Sequence, residues 1–198
     1  DRLAAACRAV TERAEAKGIA TMVENHGFFV NGSDRIIRLA EAVNRPNFKM
    51  CLDTGNLLCV DEPPETSIRK CMPYVGMIHL KDFYIRKKDR LAGLHGPFDC
   101  RAEGWLESLG GTMLRGAILG QGDIDIVSIV RDIRASGYDG FVSLYWEPAW
   151  ISGLEDLEMI LTHYAVYMGR FGNPRRQKKH LYSNNAGTGK FIWKKETL

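Results

Sequence analysis

Glu24, Asp53 and His79 each stand at the end of a short apolar run, 29 and 26 residues apart. Two carboxylates and an imidazole, brought together, make a site for a divalent cation that accepts mixed oxygen and nitrogen ligands. Manganese stands first, with magnesium, cobalt and zinc as alternatives. Taken singly, each residue has a plainer explanation, the acids as caps or solvated groups and the histidine as a structural one. Three of them at successive, similarly spaced run ends form a joint pattern that the plainer explanations do not account for.

The elements that must position them can be read from the pattern of apolar residues. Residues 1–17 place Leu3, Ala6, Cys7, Val10 and Ala14 at helical spacing, and Gly18 is a stop. The run 19–23 leads to Glu24-Asn25-His26-Gly27. Ser33 or Asp34 then caps a helix with Ile36, Ile37, Leu39, Ala40 and Val43 on one face, which Pro46 ends. The run 48–52 leads to Asp53-Thr54-Gly55-Asn56. A short helix over 64–72 follows, then the run 74–78 leads to His79-Leu80-Lys81-Asp82. Residues 124–135 repeat the helical pattern, and the run 141–144 reaches Tyr145-Trp146-Glu147-Pro148. A helix over 154–171 closes the series. Apolar strands alternating with helices predict an α/β fold with a parallel sheet covered on its faces. Four strand–helix units with polar strand ends match the layout of a (β/α)8 barrel, whose chemistry sits at the carboxyl ends of the strands. The 43 residues of 81–123 exceed a plain connection and, with Tyr84, Phe98 and Trp105, read as a lid that packs onto something. Residues 172–198 read as a loosely ordered tail, apart from the apolar Lys190-Phe191-Ile192-Trp193. Gly187-Thr188-Gly189-Lys190 has the wrong spacing for a phosphate loop, and Phe191 stands where Ser or Thr is required.

Five segments occur in a telling order: Glu24-Asn25-His26-Gly27, Leu52-Asp53-Thr54-Gly55-Asn56, His79-Leu80-Lys81-Asp82, Gly120-Gln121-Gly122-Asp123-Ile124-Asp125 and Gly137-Tyr138-Asp139-Gly140-Phe141. Together they resemble the sugar phosphate isomerase/epimerase family with a xylose isomerase-like TIM barrel, which includes ketose 3-epimerases, hydroxypyruvate isomerase and inosose dehydratase. The resemblance covers about residues 1–170. It implies that four ligands from the last four barrel strands hold one divalent metal, with Glu24, Asp53 and His79 as the first three. It also implies that the first and fourth, both carboxylates, move protons on opposite faces of a hydroxy-ketone. Glu24 is then one catalytic base. Where the family carries the fourth glutamate, this chain reads Ser143-Leu144-Tyr145-Trp146-Glu147. Tyr145 takes the matching position, and a phenol with a pKa near 10 is a poor ligand and a poor base at neutral pH. Glu147 lies two residues on, about 6–7 Å further along the strand, and is the remaining candidate for the second base.

The implied activity is that of a metal-dependent isomerase or epimerase acting on a sugar, sugar phosphate or related hydroxy-ketone. A C–H beside a carbonyl is too weak an acid for a bare carboxylate, so a cation must stabilise the enediolate. His26 and Asn56 are candidates for substrate hydroxyl contacts. Lys81 reads equally as positive charge beside the enediolate or a substrate phosphate and as a solvated lysine. An inosose-type dehydratase, which needs one base and an acid, and a catalytically inactive barrel fragment remain as alternatives. A full barrel needs about 250 residues. The chain therefore reads as the C-terminal half of a longer protein, with a partial barrel over 1–171 and the tail over 172–198. Such a half leaves two sheet edges unpaired, which favours dimerisation into a homo-oligomer, aggregation or instability.

Composition narrows the remaining classes. Hydrophobic residues make up 45% of the 198, enough for a sizeable core and too many for a disordered chain. The net charge of +3 is uneven: residues 172–198 hold seven basic residues against one acid, a net of +6, and leave the rest at −3. A mildly acidic body argues against a nucleic-acid partner. No apolar run approaches the roughly 18 residues of a membrane span. Residues 1–18 read as an amphipathic helix and not as a targeting peptide. Five cysteines, odd in number and never in C-x-x-C, read as reduced thiols of a cytoplasmic protein. A multi-zinc apurinic endonuclease needs more histidines than the five present, and has His where Asn56 stands.

Overall fold

The computed structural model describes residues 2–87 and 104–146, and the backbone paths of 177–183 and 189–195. Its chain order is α1 (Arg2–Glu15), β1 (Thr21–Glu24), α2 (Ser33–Val43), β2 (Phe48–Asp53), α3 (Pro64–Cys71), β3 (Val75–Leu80), β4 (Asp82–Lys87), β5 (Trp105–Glu107), β6 (Thr112–Ala117), α4 (Ile126–Ala135), β7 (Phe141–Trp146), β8 (Gln177–Ser183) and β9 (Gly189–Lys195). Strands β1, β2, β3 and β7 pair in parallel in that order, with a helix between each and the next and, between β3 and β7, the strands β4 to β6 as well. The α/β layout expected from the apolar runs is therefore present. Glu147 and the helix expected over 154–171 lie outside the described residues.

One face of this sheet is apolar because every second residue of its strands is. Met50 and Leu52 of β2, Ile78 and Leu80 of β3, and Val142 and Leu144 of β7 are buried in a cluster with Ile36, Ile68, Ile126, Ile129 and Ile133 from the helices. The alternation leaves Glu24, Cys51, Asp53, His79 and Ser143 on the opposite face. Helix starts are fixed by carboxylates. Asp125 accepts from the N–H of Ser128 at 3.0 Å, while α2 is capped neither by Ser33 nor by Asp34. Its first turn is met by Glu62, 29 residues away, which accepts the Ser33 N–H at 2.7 Å and the Ser33 hydroxyl.

Two segments hold strands that the apolar pattern did not outline. Within 81–123, residues 82–87, 105–107 and 112–117 form a second, antiparallel sheet in the order β4-β6-β5. Phe83 and Leu114 seat it in the main core, so this part is a built layer and not a simple cover. Residues 88–103 lie outside the description. In the tail, β9 pairs antiparallel with β7 and β8 pairs with β9. The aromatic and branched residues of 191–193 favour a strand, and β7 offers an edge to extend. Leu114 is fully buried between the two sheets. Leu114→Ala is expected to cost about 3 kcal/mol, the usual loss for a leucine cavity. Urea unfolding should show it as a lower midpoint with an unchanged slope.

Candidate metal centre

Register places the chemistry. Glu24 pairs with Cys51, Asp53 with His79, and His79 with Ser143. Between the pairs Met50–Val75 and Cys51–Met77 the register slips by one residue. Without that slip Asp53 would pair with Ile78, and His79 would face the helices, because a one-residue shift turns every side chain over. The extra residue is Gly76. A Cβ there would lie 2.8 Å from Lys49 Cβ and 3.0 Å from Met22 Cε, so a glycine allows the close approach.

At the carboxyl ends of β1, β2 and β3, His79 Nδ1 lies 3.7 Å from Glu24 Oε1, and His79 Nε2 lies 3.3 Å from Cys51 Sγ. With one donor atom taken from each, Glu24, Cys51 and His79 lie within 4.8 Å of one another and could hold a metal ion. His79 and Asp53 are buried, and the Glu24 side chain is 36% exposed. Glu24, Asp53 and His79 thus share one face, as the spacing implied, but the tight donor group contains Cys51 in place of Asp53. Sequence reasoning missed Cys51, although its place two residues before Asp53 on one strand is the signal that would have found it.

A network of amides holds the strand ends. Asn25 is fully buried, accepts the Asp53 N–H at 2.8 Å and donates to the Asp53 carbonyl at 2.9 Å. Asn31 Nδ2 donates to the carbonyls of Gly27 and Asn56 at 2.8 and 2.7 Å. The Asn56 N–H donates to Asp53 Oδ1 at 2.9 Å, and its side-chain amide donates to Glu24 Oε1 at 3.3 Å. Lys81 Nζ, buried, donates to Asn56 Oδ1 at 3.3 Å and lies 5.0 Å from the centre of the Phe83 ring. The Thr54 hydroxyl bridges the Lys81 N–H and carbonyl, each at 3.1 Å. Asn56 therefore joins Lys81 to Glu24, and Lys81 is no solvated lysine. His26 is exposed just past β1, its N–H bonded to the Val30 carbonyl at 2.8 Å. Asn25 and Asn31 had no sequence signal beyond their polarity.

Burial pushes the Asp53 carboxyl up to about 6. Lys81, the Asn56 N–H and His79 pull it down, and Glu24 adds to the rise. A carboxylate so far removed from water is one that a bound cation would compensate, and the surrounding donors have the chemistry to hold one.

Parallel strands flanked by helices, with convergent donor side chains at their carboxyl ends, define an α/β barrel-type protein with a candidate cation site. The chain belongs to the xylose isomerase-like TIM barrel family, whose model matches residues 1–160. No curated protein matches it. Among solved structures, it is similar to a probable 3-DHS dehydratase from Bacillus anthracis (18% identity, TM-score 0.60), covering 84% of this chain and 56% of that one. It is also similar to a D-psicose 3-epimerase from Clostridium cellulolyticum H10, determined with D-tagatose (19% identity, TM-score 0.55, covering 85% and 54%). A third is a xylose isomerase-like TIM barrel protein from Mycobacterium smegmatis in complex with magnesium (19% identity, TM-score 0.56, covering 78% and 47%). The chain spans about half the length of these structures. Among the described residues, no helix is long and apolar enough to cross a membrane.

Proposed function

We propose that the chain carries the cation-holding and proton-transfer part of a metal-dependent isomerase or epimerase acting on a sugar, sugar phosphate or related hydroxy-ketone. The observation that supports this most is the convergence of Glu24, Asp53 and His79 on one sheet face at the carboxyl ends of adjoining parallel strands. Asp53 and His79, both buried, would hold a divalent cation together with Glu24. Such a cation, when bound, supplies polarisation of a carbonyl and its neighbouring hydroxyl, which acidifies the C–H between them. Glu24 has the partial exposure a base needs to meet that proton at its carboxylate oxygen. The Asn56 amide orients Glu24, and Lys81 behind Asn56 adds fixed positive charge where negative charge develops. His26, exposed just past β1, would meet a substrate hydroxyl.

One position favours a second reading. Tyr145 lies two residues beyond Ser143 on β7, where a second carboxylate would complete a two-base epimerase. A dehydratase that needs one base tolerates the tyrosine better. Incubation with D-psicose and D-tagatose in D2O, in the presence of Mn2+, Mg2+, Co2+ or Zn2+, separates the cases. The expected result is exchange of the proton next to the carbonyl, reduced at least about a hundredfold in Glu24→Gln, the usual loss for a general base. Inversion at that carbon should need Tyr145→Glu. Loss of water from a substrate would favour the dehydratase, and no exchange with any cation would reject both readings.

A further inference from the structure

We infer that Cys51 supplies a sulfur donor to the metal centre and so makes it a site for a thiophilic divalent cation, zinc or cobalt, over magnesium or manganese. The inference rests on the metal-dependent reading above and names the class of ion. Cys51 is the register partner of Glu24 and lies two residues before Asp53, so its side chain is on the site face. It is buried, and its sulfur is nearer to the His79 ring than Glu24 is, at 3.3 Å against 3.7 Å.

Those two contacts use different ring nitrogens, and a cation takes one of them. A tetrahedral zinc site with ordinary bond lengths spaces sulfur and nitrogen about 3.6 Å apart, and nitrogen and oxygen about 3.4 Å apart. The three donors already lie within 4.8 Å of one another. Closing on an ion therefore requires a contraction of roughly 1.4 Å at most, within reach of side-chain rotation. Magnesium and manganese prefer a shell of oxygens, whereas a thiolate selects zinc and its softer neighbours. Two carboxylates and an imidazole would accept either group. Sulfur beside the imidazole tips the choice.

The test uses the full chain and cobalt as a spectroscopic substitute for zinc. Wild-type protein titrated with Co2+ should show a near-ultraviolet sulfur-to-cobalt charge-transfer band as well as the visible ligand-field bands. Cys51→Ser should lose the first while keeping Co2+ by the second. In equilibrium dialysis the same variant should bind Zn2+ at least about tenfold more weakly, the loss expected at minimum for a residue that tunes a metal site. Its affinity for Mg2+ should stay within about twofold. Cys51→Ala serves as a second variant, with circular dichroism confirming the fold of each. Ligand-field bands without the charge-transfer band in the wild type would overturn the sulfur assignment and leave the metal centre standing. A folded wild type that takes up none of the ions would overturn both.

Discussion

Adding saturating divalent cation to the wild-type protein at pH 8 is expected to raise its thermal midpoint by about 5–10 °C, and Asp53→Ala is expected to abolish the rise. A ligand at a hundred times its dissociation constant stabilises the native state by about 2.7 kcal/mol. For a chain of this size each kcal/mol is worth about 2–4 °C. The effect should depend on pH through the same carboxylate. Burial raises Asp53 to about 6 in the folded state, against about 3.9 in an unfolded chain. The native state therefore holds this proton more tightly, and its contribution to stability is fully present below about pH 4. It is lost as pH rises through 6. Two pH units correspond to about 3 kcal/mol. In a chelator, the stability of wild type relative to Asp53→Asn, which does not titrate, should fall by about that amount between pH 4 and pH 7. Cation and proton compete for the same oxygens, so affinity for the cation should fall as the solution is acidified through pH 6. Urea titrations at several pH values, with and without the ion, measure both effects. A flat difference between the two proteins would reject the burial account, and the lack of any cation-induced shift would reject the metal centre.

The spacing of Glu24, Asp53 and His79 made the candidate site legible because strand-end position follows from counting residues between apolar runs. The count alone misses the slip at Gly76. It depends on how tightly two backbones and the Met22 and Lys49 side chains pack, which is a matter of three dimensions. Cys51 shares the face of Asp53 by the same count and was passed over for a different reason. A cysteine in an apolar run reads as a small hydrophobe, and only the register with Glu24 and the ring of His79 gives its sulfur another role. The cap on α2 escaped because its acceptor, Glu62, comes from a distant loop while nearer candidates fit the local rule. In 81–123 the abundant glycines concealed three strands that pair with one another, β6 between β4 and β5, a pairing no local pattern announces. The parallel strands announced themselves because each is an unbroken apolar run between helices.

Asp82→Ala is expected to cost about 3–5 kcal/mol of stability and to lower turnover as well. The residue directly follows Lys81, is buried, and gathers four backbone donors. Its Oδ2 accepts from the N–H groups of Gly120 and Gly122 at 2.8 and 2.9 Å. Its Oδ1 accepts from those of Phe83 and Ile124 at 2.8 and 3.3 Å. This one carboxylate closes the turn that leads into α4, which in turn covers the sheet through Ile126, Ile129 and Ile133. Hydrogen bonds to a charged acceptor are worth about 1.5–3 kcal/mol each, and abandoned buried donors cost about as much. The Gly120 and Gly122 amides are only partly buried and can turn to water once the carboxylate is gone, which holds the cost below the full sum of about 6 kcal/mol or more for four such bonds. Asp82→Asn, whose oxygen can still accept on one side, should cost about half. Gly122→Ala reaches the same end by another route, since its Cβ would overlap the Asp82 carboxylate and lie 2.7 Å from the Phe83 carbonyl oxygen. The consequence for chemistry runs through Lys81, which is clasped by Thr54 and touches Asn56, which touches Glu24. A loosened β3–β4 junction lets that chain of contacts spread. Urea midpoints report the first effect, amide hydrogen exchange at residues 120, 122 and 124 localises it, and isotope exchange into a keto sugar reports the second. A cost under about 1 kcal/mol with unchanged amide protection would show that the turn holds without Asp82, and that Lys81 keeps its place without it.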